Sequence, residues 1–229
     1  MFIYMICCFF IDIKMVIKYL FFDFDGTVSD ARRVTYETMC DTFESMKFKF
    51  SKSKLKKQMG YKTPLIIKNM NLDFSKVDMV RKLFYKKLVN KKNLNKLNLC
   101  VDVEGLWGLS KEGYKLIVVS NSDSKFLKSS IKVLGLKGLF FKVYGSDKFS
   151  TKDELLKRLL KKYNIQKKDT IYVGDRFSDI SYAHRAHMHA VAIHNKCAWS
   201  TLSEITKEDP DYLIHDFNGL KELIEKLNQ

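Results

Sequence analysis

Short apolar runs of β-type alternate along this chain with amphipathic stretches of helical period, and that alternation is what a parallel sheet with crossover helices requires. The runs fall at 16–22, 116–119, 139–144, 170–173, 189–193 and 212–214. The amphipathic stretches fall at 103–111, 125–134, 153–163, 178–186 and 218–227. Within 153–163, Leu155, Leu156, Leu159, Leu160 and Tyr163 make one apolar stripe while the Lys and Arg residues face away. The fold class is α/β.

One interval breaks the rhythm. Between Asp30 and Asp102 no convincing buried strand appears, and 34–46, 53–59, 64–69 and 75–89 read as helices. The natural account is a helical insertion at 31–100 within a core made of 15–30 and 101–229. A chain of 229 residues with 46% hydrophobic content can fill such a core, and 2 Pro and 10 Gly exclude collagen-like and low-complexity classes. No internal repeat is visible.

The net charge of +15 is concentrated in the same insertion, where 18 Lys and Arg face 5 Asp and Glu. Such a balance suits anionic small molecules, nucleic acid or acidic membrane surfaces on composition alone. Most of these cations are Lys, which argues against base readout by the planar Arg fork, so nucleic acid is not an expected partner. The blander reading is a solvated, Lys-coated helical face.

Five cysteines without metal-ligand spacing suggest neither a disulfide framework nor a zinc site, and fit a reducing cytosol. Residues 1–14 are strongly apolar but too short to span a bilayer, and Asp12 interrupts them. They read as an extension before a start at Met15 or as an extra strand on the core. A membrane anchor ranks last.

Three apolar runs end in an oxygen-bearing residue: Asp23 after 21–22, Ser120 after 118–119, and Asp175 after Gly174. The C-terminal ends of parallel strands share one edge, and ligands bind in the crevice there, so these three residues should converge despite their distance in sequence. In Asp23-Phe24-Asp25-Gly26-Thr27, a two-residue spacing in extended chain puts both carboxylates on one side, and Gly26 permits a sharp exit. Paired carboxylates there could bind a hard cation, do acid/base work or supply a nucleophile.

Taken together, DFDGT at 23–27, a strand ending in Ser120-Asn121, Lys152 opening a helix, and Gly174-Asp175-Arg176-Phe177-Ser178-Asp179 resemble the four ordered motifs of the haloacid dehalogenase superfamily. The insertion resembles the small helical cap of its phosphoglycolate phosphatase and β-phosphoglucomutase branch. The resemblance implies a Rossmann-like core with an α-helical cap and phosphoryl transfer on a small anionic phosphorylated metabolite. It assigns Asp23 as nucleophile forming an aspartyl-phosphate, and Asp25 as general acid/base. Ser120, Asn121 and Lys152 would hold the phosphate. Asp23, Asp25 through its backbone carbonyl, Asp175 and Asp179 would serve a Mg²⁺ site, Asp179 through water or by orienting Lys152. Gly60, Tyr61 and Lys62 would form the cap's substrate loop. Dehalogenases of the superfamily lack a carboxylate at the position of Asp25, so its presence points to phosphatase or mutase chemistry.

Singly, several of these residues have plainer readings: Ser120 as a helix cap, Asp153 as the feature that starts its helix, Asp179 as a first-turn acid. Arg32 and Arg33 follow the catalytic loop closely and are expected, with Lys62, to bring the insertion's positive field to the phosphate edge. Ala186-His187 and Ile193-His194 depart from the family's usual glycines, and His tolerates a left-handed backbone better than most residues. His184, His187 and His189 are not expected to form a zinc site, because a helix end and a strand start scatter their rings. The reading is a Mg²⁺-dependent phosphatase; a sugar-phosphate mutase of the same fold, a non-catalytic binding or regulatory module, and a phosphatase of nucleic-acid ends are its rivals.

Overall fold

The computed structural model describes residues 17–166 and 169–229; the expectations for 1–14, for a start at Met15 and for position 16 lie outside the described residues. Chain order begins with β1 (Tyr19–Phe22) and β2 (Ser29–Asp30). Five helices follow: α1 (Arg32–Ser45), α2 (Lys52–Gln58), α3 (Thr63–Asn69), α4 (Val77–Leu88) and α5 (Lys91–Leu94). Then come β3 (Asn98–Leu99), α6 (Glu104–Lys111), β4 (Lys115–Val119), α7 (Ser124–Val133), β5 (Lys142–Tyr144) and α8 (Lys152–Lys162). The chain closes with β6 (Thr170–Gly174), α9 (Phe177–Arg185), β7 (His189–Ile193), α10 (Leu202–Thr206), β8 (Tyr212–Ile214) and α11 (Phe217–Leu227).

Six strands form one sheet in the order β5-β4-β1-β6-β7-β8, and every neighbouring pair is parallel. Each expected run therefore becomes a strand. The run at 139–144 shortens to β5, because Leu139 is instead a buried turn residue after α7. Strand pleat divides the core in two. Leu20, Phe22, Val118, Val173 and Val191 pack on one face with α6 and α11, whereas Phe21, Ile117, Val119, Tyr172 and Ala190 pack on the other with α8 and α9.

Helices α1–α5 have a separate apolar cluster built on Met39, Phe43, Leu55, Ile67, Val80 and Phe84, joined from α7 by Phe126. The chain enters and leaves this helical segment through the antiparallel pair β2–β3, Ser29 opposite Leu99 and Asp30 opposite Asn98. Short helices α5 and α10 were not evident from periodicity, since four or five residues are too few to display a 3.6-residue repeat. His187 does adopt a left-handed backbone, φ +59°, in the turn between α9 and β7. Among the described residues no helix is long and apolar enough to cross a membrane.

Candidate active site

Strand β1 lies between β4 and β6, so the chain segments leaving these three strands emerge side by side at one edge. Asp23 continues β1, with its N–H donating to the Val173 carbonyl of β6 at 2.9 Å. Ser120 follows β4 and donates its N–H to the Tyr144 carbonyl at 3.0 Å. Asp175 follows β6. All three are buried, as are Asp25, Lys152 and Asp179.

Lys152, the first residue of α8, is only 2% exposed, which excludes a solvated lysine at a helix start. Its ammonium pairs with Asp179 at 2.6 Å and Asp23 at 3.1 Å, and donates to the Tyr172 hydroxyl at 2.9 Å. Burial opposes the charge, but the carboxylates of Asp179 and Asp23 outweigh it and hold the ammonium well above its ordinary pKa. Asp179 does two jobs: its Oδ2 accepts the Arg176 N–H at 3.2 Å as a helix-terminal acid, and its Oδ1 holds Lys152. Asp123, rather than Ser120, caps α7 by accepting the Lys125 N–H.

Asp25 stands apart from that ion-pair network. Its carboxylate accepts a hydrogen bond from the Ser122 hydroxyl, and its other oxygen is buried without a hydrogen-bond partner. Burial pushes its pKa up to about 7, helped by the charge of Asp23 and opposed by Ser122 and Lys152. Two carboxylates two residues apart thus occupy different environments, one in a buried ion pair and one poised to carry a proton near neutrality.

Asp23, Asp175 and Asp179 each present a carboxylate oxygen within 4.8 Å of the others. Burial, then the charges of Asp179 and Asp23, push Asp175 well above the ordinary carboxylate range. Asp179 is likewise raised by burial, against the pull of Lys152. Three buried carboxylates meet here and one ammonium pairs with two of them, Asp23 and Asp179, so the donor set is short of positive charge, and its hard oxygens fit a small divalent cation.

Sequence reasoning missed the groups that hold this arrangement in place. Thr27 donates its hydroxyl to Asp175 Oδ1 at 2.9 Å, and the Trp199 backbone N–H donates to Oδ2 at 2.7 Å. The Trp199 indole N–H donates to the Asp25 carbonyl at 2.8 Å. Gly26 is needed beneath this contact: at φ +97° a Cβ would come within 2.4 Å of the Asp175 carboxylate and 2.3 Å of the Trp199 ring. Ser122 and Tyr172 also had no local signal, since a serine in a loop and a tyrosine in a strand look ordinary until neighbours are known.

The helical segment closes over the strand ends and leaves a cavity of about 40 Å³, room for a few water molecules. Asp23, Asp25, Ser120 and Asn121 line it from the core, Gly60 and Tyr61 from the segment between α2 and α3. Lys62, expected at the phosphate edge, does not line this cavity. Its ammonium donates to the carbonyls of Phe149 and Ser150, both at 2.7 Å, and burial together with the charge of Lys152 pulls its pKa down to about 8. It ties the helical segment to the loop before α8. Arg32 and Arg33, expected at that edge with Lys62, do not line the cavity either. Arg32 donates to the carbonyls of Ala198 (3.0 Å) and Lys196, gripping the loop that carries Trp199, while Arg33 pairs with Glu37 at 2.7 Å on the surface. Both line a separate outer cleft. His184 approaches the Asp211 carboxylate at 3.6 Å and the His189 ring lies 6.2 Å from that of Tyr212.

A model of the haloacid dehalogenase-like hydrolase family matches residues 20–193. Among curated proteins, the phosphoglycolate phosphatase of Aliivibrio fischeri is 30% identical over 115 residues, covering 49% of this chain and 50% of that protein. The chain thus spans about half the length of the phosphoglycolate phosphatases it matches. Pyrophosphatase PpaX of Oceanobacillus iheyensis is 22% identical over 211 residues, covering 90% of this chain and 96% of that protein. Among solved structures, a predicted phosphatase from Clostridium acetobutylicum superposes with a TM-score of 0.80 at 19% identity, covering 92% of this chain and 99% of that one. A predicted phosphoglycolate phosphatase from Haemophilus somnus gives 0.78 at 21%, covering 90% and 97%.

Proposed function

This chain belongs to the haloacid dehalogenase-like hydrolases, and from that premise we propose that it is a Mg²⁺-dependent phosphatase of a small phosphomonoester, with residues 31–100 acting as its cap. The observation that carries the reading is the split between the two carboxylates of one strand end, Asp23 in a buried ion pair and Asp25 pushed up to about 7. A nucleophile must be anionic and a general acid must hold a proton, and environments that separate two carboxylates divide these tasks between them.

In this mechanism Asp23 attacks phosphorus, forming an aspartyl-phosphate as the bond to the leaving oxygen breaks. Asp25 gives its proton to that oxygen, then, as carboxylate, takes a proton from the water that cleaves the acyl-phosphate. Lys152, Ser120 and Asn121 hold the phosphoryl oxygens, and Asp179 keeps Lys152 charged and aimed. Asp23, the Asp25 carbonyl, Asp175 and Asp179 are the residues to hold Mg²⁺, which when bound offsets the negative charge of carboxylates and phosphate. Asp25 would be placed by its hydrogen bond from Ser122, and the metal-side carbonyl and carboxylate by Trp199. The small cavity favours a compact metabolite, with entry and release served by movement of the cap.

The test is release of inorganic phosphate from a panel of phosphorylated metabolites with Mg²⁺, followed by acid-stable trapping of label on Asp23. A mutase would instead retain phosphate on the product and respond to a catalytic bisphosphate. No turnover across the panel, with the metal bound, would leave a non-catalytic module.

A further inference from the structure

Arg176 is buried, 7% exposed, in the wall of the cavity that also holds Asp23 and Asp25. Its guanidinium donates from Nη1 to the Met59 carbonyl at 2.8 Å and lies 4.8 Å from the centre of the Tyr61 ring and 6.0 Å from that of Trp199. The Nε–H is buried with no hydrogen-bond partner. Among the described residues no carboxylate comes within ion-pair distance of the guanidinium. Lys152, equally buried, has two.

A buried charge is tolerated when something supplies its counter-charge, and truncating or omitting the partner is costly because the charge stays desolvated. Here the carbonyl and the aromatic faces provide only partial compensation. The fit at the cap side is also tight: Gly60 sits at φ +89°, and a Cβ there would fall 1.8 Å from Nη1, so the loop leaves room for the guanidinium only as glycine. Lys152 already faces the nucleophile, which leaves Arg176 as a second cation in a very small space.

We propose that Arg176 determines specificity by binding an anionic group on the leaving portion of the substrate, so that the favoured substrates are compact phosphomonoesters or phosphoanhydrides carrying a second negative charge beside the transferred phosphoryl group. This rests on the phosphatase reading for the identity of the transferred group, but not for the charge of the ligand. The planar fork of Arg matches a carboxylate or a phosphate equally well.

The experiment uses the full chain with Mg²⁺ and compares wild type, Arg176→Gln and Arg176→Lys. Calorimetry with three non-hydrolysable probes reads the charge of the ligand directly: 3-phosphonopropionate, methylenediphosphonate and the singly anionic-ended propylphosphonate. Wild type should bind one or both of the first two about 10- to 100-fold tighter than the third, and Arg176→Gln should erase that preference while Arg176→Lys keeps part of it. A preference for 3-phosphonopropionate alone identifies a carboxylate, and one for methylenediphosphonate alone a phosphate. Equal binding of all three by wild type overturns the inference. So does an equal loss of all three in Arg176→Gln, because the arginine would then only latch the cap through Met59. Turnover of 2-phosphoglycolate, pyrophosphate and 2-hydroxyethyl phosphate runs alongside: failure of wild type on every substrate would defeat the phosphatase reading, while the calorimetry still decides the role of Arg176.

Discussion

The strand-end cluster and the helical segment handle charge in opposite ways. Residues 31–100 hold 18 Lys and Arg against 5 Asp and Glu, yet Arg33 pairs with a surface carboxylate while Arg32 and Lys62 donate to backbone carbonyls. The strand ends hold Lys152 and Arg176 as buried cations among four buried aspartates, and Asp23, Asp25 and Arg176 line the cavity. A charge matters by how completely it is desolvated and what it faces, so two buried cations outweigh a crowd of solvated ones.

The sharpest way to break this contrast is at Asp23. Asp23→Asn should abolish turnover, by at least about 10⁴-fold, and with it any trapped phosphoenzyme, because an amide is a poor nucleophile. Substantial residual activity measured by phosphate release would sink the mechanism. Lys152→Met comes next: it strips the single ammonium from Asp23 and Asp179, and chemical denaturation should show a loss of about 3–5 kcal/mol as well as inactivity.

Asp25→Asn should lower kcat by about 10²–10⁴-fold while calorimetry still detects Mg²⁺ binding, since the proton donor is lost and the backbone carbonyl is not. The same variant tests the burial of Asp25 through stability. The folded protein keeps its proton up to about 7 and the unfolded chain only to the ordinary value of 3.8, so its contribution is present below 3.8 and is lost as pH rises through about 7. In metal-free buffer, the Tm of Asp25→Asn relative to wild type should therefore increase between pH 5 and pH 8. A constant difference would mean that this carboxyl is not held in its protonated form.

A smaller effect sharpens the contrast from the loop side. Trp199→Phe keeps the ring but deletes the indole donor to the Asp25 carbonyl, and should cost about 1 kcal/mol of stability with a weakened Mg²⁺ affinity. The smallest expected effect belongs to the surface. Neutralising Arg33, Lys86, Lys91 and Lys92 to Gln should change kcat/KM by less than about twofold across an ionic-strength series. A large, salt-dependent loss would restore the positive field of the cap as a contributor to substrate capture.

The sequence alone determined the α/β class, the helical interruption at 31–100 and the meeting of Asp23, Ser120 and Asp175, because hydrophobic period and strand polarity are local properties that fix which ends share an edge. It also marked Lys152 and Asp179, though not that one ammonium would serve two carboxylates. Only the tertiary structure decided where the long cationic side chains went. Arg32, Arg33 and Lys62 sit at the expected places in the chain, but each has several rotatable bonds and takes whichever carbonyl or carboxylate its neighbours offer. Ser122, Trp199 and Arg176 became legible for the same reason in reverse: a loop 24 residues beyond Asp175 and a cap carbonyl 117 residues before Arg176 are brought to hydrogen-bond distance by packing, and spacing along the chain carries no trace of that.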